Sequence, residues 1–237
     1  MFSFLKKYFI NSKKIPKHIA VIMDGNGRWA EKKLMPRSYG HIKGLDSVQK
    51  IIQYSIKYKI QAITLYAFST ENSKRPKKEI DDLIDLFNKS ISDQASNLIK
   101  SNIILKVLGD ITFFPKGLQK KISALESKCK NNNGLNLNIA LHYGGKKEIV
   151  DTVNKLIKRK KTITVDDIEM NLDTSQFPDV DLLIRTGGEK RISNFLIWQL
   201  AYSELYFVDT LWPDFNERTF IDALYFFQNR ERRFGAL

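Results

Sequence analysis

Short apolar runs alternate along the chain with segments whose apolar residues recur every three or four positions. Six of these runs are rich in Ile, Val, Leu and aromatic residues, as strands are, and they cover residues 18–24, 62–69, 103–109, 135–143, 181–185 and 205–208. Strands that alternate with helices are typical of a parallel sheet with crossover helices. The pattern therefore predicts an α/β fold, with a single domain and a mainly parallel central sheet flanked by helices.

Two of the intervening segments have the clearest helical periodicity. One apolar stripe consists of Ile42, Leu45, Val48, Ile52 and Ile56. The other consists of Ile80, Leu83, Ile84, Phe87, Ile91, Ala95 and Leu98. Both stripes predict helices that pack against the sheet.

Composition sets the size and the charge of this domain. The chain has 237 residues, of which 43% are hydrophobic and 27% charged, so we expect one domain over residues 16–237 after a basic arm at residues 1–15. The formal net charge of +13 attracts anions, which could be nucleic acid, acidic lipid or phosphorylated small molecules. One cysteine, Cys129, excludes an intrachain disulfide, and three scattered histidines provide no zinc-binding cluster.

The chain has no sequence signal for crossing a membrane. No apolar run reaches the roughly 18 residues of a membrane span, and the N-terminus lacks a secretory signal pattern, so we expect a cytoplasmic protein. The arm mixes apolar residues with lysines: Phe2, Phe4, Leu5, Phe9 and Ile10 with Lys6, Lys7, Lys13 and Lys14. Two interpretations stay open, a frayed basic arm or an amphipathic helix in peripheral contact with the inner membrane surface.

The first predicted strand ends in a loop with the composition of a phosphate site. It contains Asp24, Gly25, Asn26, Gly27, Arg28 and Trp29, and Arg37 and His41 follow at the start of the next helix. Glycines let backbone N–H groups approach oxyanions, and arginines bind phosphate oxygens in a fork. A carboxylate such as Asp24 suits that setting only if it holds a cation or acts on a proton.

Two further loops follow the carboxyl ends of predicted strands, where ligands bind in open α/β sheets. One contains Ser69, Thr70, Glu71, Asn72, Ser73 and Arg75. The other begins at Arg185 and contains two glycines followed by Arg191, Ile192 and Ser193. The loop that begins at Arg185 is the second glycine-containing basic loop, after the one that contains Asp24, and two separate phosphate sites imply two phosphorylated substrates. Neither of these two glycine-containing loops has the glycine spacing of a dinucleotide site or of a Walker A motif.

One aspartate motif resembles a metal site but has a simpler explanation. Residues 81–85 read DDLID, the pattern with which helical trans-prenyl synthases bind magnesium diphosphate. The chain has no second copy, and its elements alternate between strands and helices. Aspartates at this spacing also occur on a solvated helix face, which is the interpretation that we adopt.

Together these motifs resemble the cis-prenyltransferase family over nearly the whole chain. The matching stretches are HIAVIMDGNGRWA at 18–30, TLYAFSTEN at 64–72, YGG at 143–145, the segment 185–215 and RERRFG at 230–235, together with Arg37, Gly40, His41 and Gly44. The resemblance implies an enzyme that condenses isopentenyl diphosphate onto an allylic diphosphate, usually farnesyl diphosphate. The product would be a long polyprenyl diphosphate, undecaprenyl diphosphate, which carries cell-wall precursors.

The resemblance also implies a role for each motif residue. Asp24 is the catalytic aspartate, and Asn72 positions or accepts the proton that isopentenyl diphosphate loses. The allylic diphosphate is bound by Gly25, Asn26, Gly27, Arg28, Arg37 and His41, with Trp29 beside it. Isopentenyl diphosphate is bound by Arg185, Arg191, Ile192 and Ser193, with Ser69, Thr70, Glu71, Ser73 and Arg75 in the loop that closes over the substrates. Asp24 and Glu204 hold Mg²⁺.

The implied state is a homodimer with an apolar tunnel for the growing chain, and with no nucleic acid as partner. Three positions depart from the family pattern: Ser73 replaces a tryptophan, His142 an asparagine and Lys146 an arginine. If the loop is a lid, Ser73→Trp lowers the Michaelis constant for the allylic substrate. Three alternatives stay open: a scaffold subunit of the same fold, a nucleic-acid-binding protein, and an enzyme that makes a short product.

Overall fold

A computed structural model describes residue 6, residues 10–159 and residues 162–231. Most of the predicted N-terminal arm therefore lies outside the described residues. The strands are β1 His18–Ile22, β2 Ala62–Ser69, β3 Ile104–Leu108, β4 Asn136–Tyr143, β5 Leu182–Arg185 and β6 Glu204–Phe207. The helices are α1 Asn26–Glu31, α2 Arg37–Lys57, α3 Lys77–Lys100, α4 Lys116–Cys129, α5 Gly145–Leu156, α6 Val165–Glu169 and α7 Glu217–Gln228. Short 3₁₀ turns occur at Ser12–Lys14, Thr70–Lys74, Ile111–Phe113 and Trp212–Asp214.

All six strands belong to one sheet, in the order β3-β4-β2-β1-β5-β6, and every neighbouring pair is parallel. The predicted fold class is therefore confirmed. Strand β1 lies in the middle, with β2 on one side and β5 on the other, so the direction of the chain through the sheet reverses at β1. Such a reversal opens a crevice at the carboxyl ends of the strands.

Strand β1 shows why an uninterrupted apolar run forms a central strand. All five of its residues are buried, because helices cover both faces of a parallel sheet. The predicted strand continued to Asp24, but pairing ends at Ile22, opposite Tyr66 on one side and Arg185 on the other. Asp24 is therefore free of the sheet and belongs to the loop at its edge.

Helix α2 buries a different face from the one that its apolar stripe predicted. Ile42 is 50% exposed and Ile56 41% exposed. The buried residues are mostly small: Gly40, Gly44, Ser47, Ile51 and Ser55. A Cβ atom at Gly40 would overlap the carbonyl oxygen of Asn26, so close packing against α1 requires the small side chains. The helix packs against the core as predicted, with Val48 and Ile52 partly buried there, but its most buried face is the small-residue face beside the stripe.

Helix α3 packs its apolar stripe against the core, as predicted. Leu83 and Leu98 are buried, and the other stripe residues, Ile80, Ile84, Phe87, Ile91 and Ala95, are partly buried against the core. Asp81, Asp82 and Asp85 are exposed on the opposite side, as expected of a solvated helix face. Within the described ranges, no helix has both the length and the apolarity that crossing a bilayer requires.

Candidate active site

A cavity of about 830 Å³ opens at the carboxyl edge of the sheet and extends between the sheet and helices α2 and α3. Its mouth is polar and carries Asp24, Asn26, His41, Ser69, Glu71, Asn72, Arg75, Arg185, Arg191, Ser193 and Asn194. Its walls are apolar, and they include Leu45, Val48, Ile52, Leu83, Phe87, Ile91, Leu105, Val107, Leu137 and Ile139. Three stripe residues of α2, Leu45, Val48 and Ile52, line this cavity. The cavity combines an ionic entrance with a long apolar interior.

Asp24 lies between two arginines at this mouth. Its carboxylate accepts a hydrogen bond of 2.9 Å from Arg185 Nη2 and one of 3.1 Å from Arg28 Nη2. Its backbone oxygen accepts from Thr186 Oγ1 and from the Trp212 N–H, which fixes the loop. Two guanidinium groups share one carboxylate, so the cluster retains positive charge for an anionic ligand.

Two glycines lie in close contact at the end of β1. Gly25 has φ +109° and precedes α1, and a Cβ atom there would lie 2.8 Å from Leu211 Cδ2. A Cβ atom at Gly27, in the first turn of α1, would lie 2.5 Å from Arg37 Cζ, so the guanidinium group of Arg37 lies directly against this glycine. Arg37 also pairs with Glu31. The structure therefore brings Arg28 and Arg37 together at one loop.

Two predicted site residues in this region have different surroundings from those expected. His41 lies in the second turn of α2, which begins at Arg37. Burial, with Arg75 and Arg37 nearby, lowers the pKa of His41 to about 4, so the imidazole is neutral near pH 7. Trp29 donates from its indole N–H to Asp214 Oδ1 at 2.7 Å and stacks on Tyr39, so it does not line the cavity.

The loop after β2 is a 3₁₀ turn closed by a reciprocal cap. The Ser69 N–H donates to Asn72 Oδ1 at 3.1 Å, and the Asn72 N–H donates to Ser69 Oγ at 3.2 Å. This cap fixes the Asn72 side chain at the mouth through its oxygen and leaves its NH₂ group outside the cap. Ser73 Oγ donates to the Thr70 carbonyl oxygen at 2.6 Å, inside the turn and away from the cavity lining.

Charged groups flank this turn on both sides. Arg75 Nη1 donates to Glu79 Oε1 at 2.9 Å. Burial raises the pKa of Glu71, but hydrogen bonds from Asn194 and from the turn outweigh it, and the net shift is downward. Glu71 is therefore ionised near pH 7, beside a mouth that otherwise carries arginines.

The loop after β5 is organised around Arg185, which is 4% exposed. Besides Asp24, its guanidinium group donates to Ser193 Oγ at 2.9 Å and to the Arg191 carbonyl oxygen. Its buried Nε–H has no partner within the described residues. The Arg191 side chain is 59% exposed and pairs with Glu189, so it can turn toward a ligand. Ile192 packs against a buried apolar cluster and is not among the residues that line the cavity, and its substrate contact stays a prediction.

Glu204 does not reach Asp24 within one chain, so the two carboxylates do not pair there, and their joint binding of a metal ion stays a prediction. Glu204 begins β6 opposite Leu182, which in turn lies opposite Ile19 at the amino end of β1. Asp24 follows the other end of β1, about 15 Å further along the strand direction. Glu204 instead accepts a hydrogen bond of 3.0 Å from Arg230 Nε.

The donor set around Asp24 suits a divalent cation only together with a ligand. The described part of the chain contains no group of three His, Cys, Asp or Glu side chains that would hold a metal ion by themselves. Mg²⁺ is commonly held by one or two carboxylates and by substrate phosphates, with waters completing the shell. Asp24, at a mouth that carries several arginines, fits that mode.

Sequence reasoning missed Asn194, which joins three loops at the mouth. Its Nδ2 donates to Glu71 Oε1 at 2.7 Å, and its Oδ1 accepts from the Lys146 N–H at 3.0 Å. Its backbone oxygen accepts from the Gly145 N–H at 2.7 Å, and its φ of +63° is of the left-handed kind that asparagine tolerates. The only signal in the sequence was an asparagine directly after Ser193.

The chain is similar to curated and solved proteins along most of its length. Residues 22–235 match a family model described as "Putative undecaprenyl diphosphate synthase". An isoprenyl transferase of Fusobacterium nucleatum is 50% identical over 95% of this chain and 98% of its own. A ditrans,polycis-undecaprenyl-diphosphate synthase of Pasteurella multocida, named as specific for (2E,6E)-farnesyl diphosphate, is 48% identical over 96% of this chain and 98% of its own.

Two solved structures share the fold. Lavandulyl diphosphate synthase from Lavandula x intermedia, in complex with dimethylallyl diphosphate, has a TM-score of 0.90 and 34% identity over 94% of this chain and 99% of its own. A probable undecaprenyl diphosphate synthase from Campylobacter jejuni has a TM-score of 0.81 and 36% identity over 93% of this chain and 98% of its own. With a family model and close relatives that cover nearly the whole chain, this protein belongs to the undecaprenyl diphosphate synthase family of cis-prenyltransferases.

Proposed function

We propose that the chain condenses successive molecules of isopentenyl diphosphate onto farnesyl diphosphate and makes undecaprenyl diphosphate. The observation that carries this proposal is the cavity, which joins an arginine-lined mouth to a long apolar interior. A diphosphate ester with a growing hydrocarbon chain has this same division between a charged head and an apolar tail. The names of relatives nearly 50% identical support the same reaction.

The two basic loops divide the two diphosphates between them. Arg28, Arg37 and neutral His41 bind the allylic diphosphate, and Arg185, Arg191 and Ser193 bind isopentenyl diphosphate. Ionisation of the allylic C–O bond leaves negative charge on the departing diphosphate, which the arginines stabilise more strongly as it forms. Because both substrates are held at one mouth, C–C bond formation loses much of its entropic barrier.

Asp24 and Asn72 act where the two substrates meet. The Asp24 carboxylate contacts one arginine from each loop, so it fixes the separation of the two diphosphate sites. After the C–C bond forms, a proton leaves the isopentenyl unit and the new cis double bond forms. Asn72, held by its cap with Ser69, orients that unit for the loss of the proton.

The proposed cofactor is Mg²⁺, which Asp24 would hold together with diphosphate oxygens. When bound, it would supply Lewis-acid stabilisation of the charge on the leaving diphosphate. The homodimer and the peripheral contact with the inner membrane surface are parts of the same proposal. They are supported by the family resemblance and by the lipid character of the product.

The test is incubation of the purified protein with farnesyl diphosphate, radiolabelled isopentenyl diphosphate and Mg²⁺, with EDTA as the control. Dephosphorylated products are resolved by length. We expect a metal-dependent product near undecaprenol. An Asp81→Ala/Asp82→Ala variant is the matched control for Asp24→Ala, because these exposed carboxylates lie outside the mouth.

Each contrary outcome points to a particular alternative. No incorporation by a folded protein favours the scaffold subunit. A short product, such as a single-addition prenyl diphosphate, retains the chemistry and overturns the assigned length. A salt-sensitive gel shift with nucleic acid at physiological ionic strength supports the nucleic-acid-binding alternative.

A further inference from the structure

Helix α1 ends in a turn with an unusual residue at its tip. The Met35 N–H donates to the Ala30 carbonyl oxygen at 3.0 Å, and the Leu34 N–H donates to the Glu31 carbonyl oxygen at 3.0 Å. This pair of bonds defines a Schellman motif, whose left-handed position is normally glycine. Here that position is Leu34, with φ +57°. A side chain at this backbone conformation is strained.

No packing inside the chain compensates for this strain. The Leu34 side chain is 96% exposed, whereas Leu196, another leucine with positive φ, is fully buried. Across the described ranges, Leu34 is the only apolar side chain that is both exposed and left-handed. Backbone strain that no internal contact offsets points to an external contact.

The surroundings of Leu34 indicate the chemistry of that contact. Lys32 and Lys33 precede it and are exposed, and Arg37 follows it. Met35 is 41% exposed beside it, so an apolar tip is set in a basic rim. Apolar insertion combined with attraction to anionic headgroups is how peripheral proteins bind a bilayer.

The position of the turn relates it to the active site. Trp29 belongs to α1, and Lys33 Nζ lies 4.8 Å from the centre of its ring. Arg37, two residues beyond Met35, lies against Gly27 in the first turn of α1. The turn is thus connected through α1 to the loop that carries Asp24 at the cavity mouth.

We propose that residues 32–35 form a docking tip that inserts Leu34 into an anionic lipid surface, with Lys32 and Lys33 on the headgroups. The argument for lipid as the occupant rests on the proposed function, because a long polyprenyl product must pass from the cavity into a bilayer. Docking through this tip holds the cavity mouth near the membrane.

The experiment is co-sedimentation of the full chain with vesicles of phosphatidylcholine alone or mixed with phosphatidylglycerol. We expect wild type to bind the mixed vesicles and to dissociate at high salt. Leu34→Gly removes the inserted side chain and should weaken binding about tenfold or more. Because glycine relieves the left-handed strain, the melting temperature should be unchanged or higher.

Matched variants separate the tip from other surfaces. Met170 is 66% exposed in α-helical conformation away from the tip, so Met170→Gly should leave binding unchanged. Lys32→Glu/Lys33→Glu should abolish the dependence on anionic lipid. Lys13→Glu/Lys14→Glu changes net charge equally in the N-terminal arm and should have the smaller effect.

Several results would overturn the proposal. The proposal fails if wild type does not bind the mixed vesicles, or if Leu34→Gly binds them as tightly as wild type does. It also fails if Met170→Gly weakens vesicle binding as much as Leu34→Gly does, or if only the Lys13→Glu/Lys14→Glu variant loses binding. If Leu34→Gly alters the size-exclusion volume and not lipid binding, the occupant is a second copy of the chain. Condensation of soluble substrates is measured in parallel without vesicles. Leu34→Gly should retain it, so failure of docking and failure of the proposed function are distinguishable.

Discussion

Asn194 Nδ2 lies 2.7 Å from Glu71 Oε1 and thereby joins the loop after β5 to the loop after β2. The same side chain accepts the Lys146 N–H, so the start of α5 is joined to both. Ser193, whose Oγ lies 2.9 Å from Arg185, is the preceding residue. The position of the proposed isopentenyl diphosphate site therefore depends on an amide that does not itself need to touch the substrate.

We expect Asn194→Ala to raise the Michaelis constant for isopentenyl diphosphate about tenfold, because Glu71 and the Ser193 segment lose a shared hydrogen-bonding partner. The constant for farnesyl diphosphate should change little. Asn171→Ala is the matched control, since Asn171 Nδ2 also makes a hydrogen bond, to Asp167 O at 2.9 Å, outside the cavity lining. Steady-state kinetics with each substrate varied in turn measure the two Michaelis constants. Equal changes in both constants would argue for a general loss of structure.

Asp24→Asn should separate catalysis from binding. The substitution keeps the shape of the side chain but removes the one carboxylate between Arg28 and Arg185. With a negative charge gone, diphosphates should bind as tightly as before or tighter, while kcat falls about 10²-fold or more. Binding is measured by calorimetry and turnover by incorporation. Weaker diphosphate binding together with near-normal turnover would contradict the role assigned to Asp24.

The fold could be predicted because local pattern determines it here. The apolar runs at 18–24 and 181–185 became β1 and β5, and their polar ends met at the mouth because parallel strands place their carboxyl ends together. The packing of helix α2 could not be predicted from its apolar stripe. Its close approach to α1 depends on Gly40 and Gly44, whose lack of a side chain leaves no signal in an apolar stripe.

The site could be predicted only where its residues follow a strand end. Asp24 and Arg185 follow β1 and end β5, so sequence position was enough to bring them together. Glu204 begins β6, and its distance from Asp24 depends on strand register, which the sequence does not state. The contacts of Asn194 depend on the path of three loops at once.

His41 predicts how stability changes with pH. Its pKa is lowered to about 4 in the folded chain and is near 6.5 when unfolded, so the unfolded state binds the proton more readily. The contribution of neutral His41 to the free energy of unfolding is fully present above pH 6.5. It falls by about 3 kcal/mol as the pH decreases toward 4.

His41→Gln removes this contribution. Denaturant melts between pH 7 and pH 4 should show wild type losing more stability than the variant, and the difference between them isolates His41 from the carboxylates and from His18 and His142. Parallel curves for the two proteins would mean that burial does not hold His41 neutral.

Substitutions at two positions of β3 that line the cavity, Val107 and Leu105, should change the product length in opposite directions. Val107 lines the cavity beside Ile139, and Leu105 lines it two residues further from the carboxyl edge of the sheet, beside Leu137. Val107→Phe should stop elongation early and shorten the product, whereas Leu105→Ala should free space at the far end and lengthen it. Because both changes lie away from Asp24 and the arginines, the rate of the first addition should stay near that of wild type.

Overpacking costs about 1–3 kcal/mol of stability, so melting curves accompany the product analysis to show that both variants are folded at the assay temperature. An unchanged product from both folded variants would mean that the growing chain does not occupy this cavity.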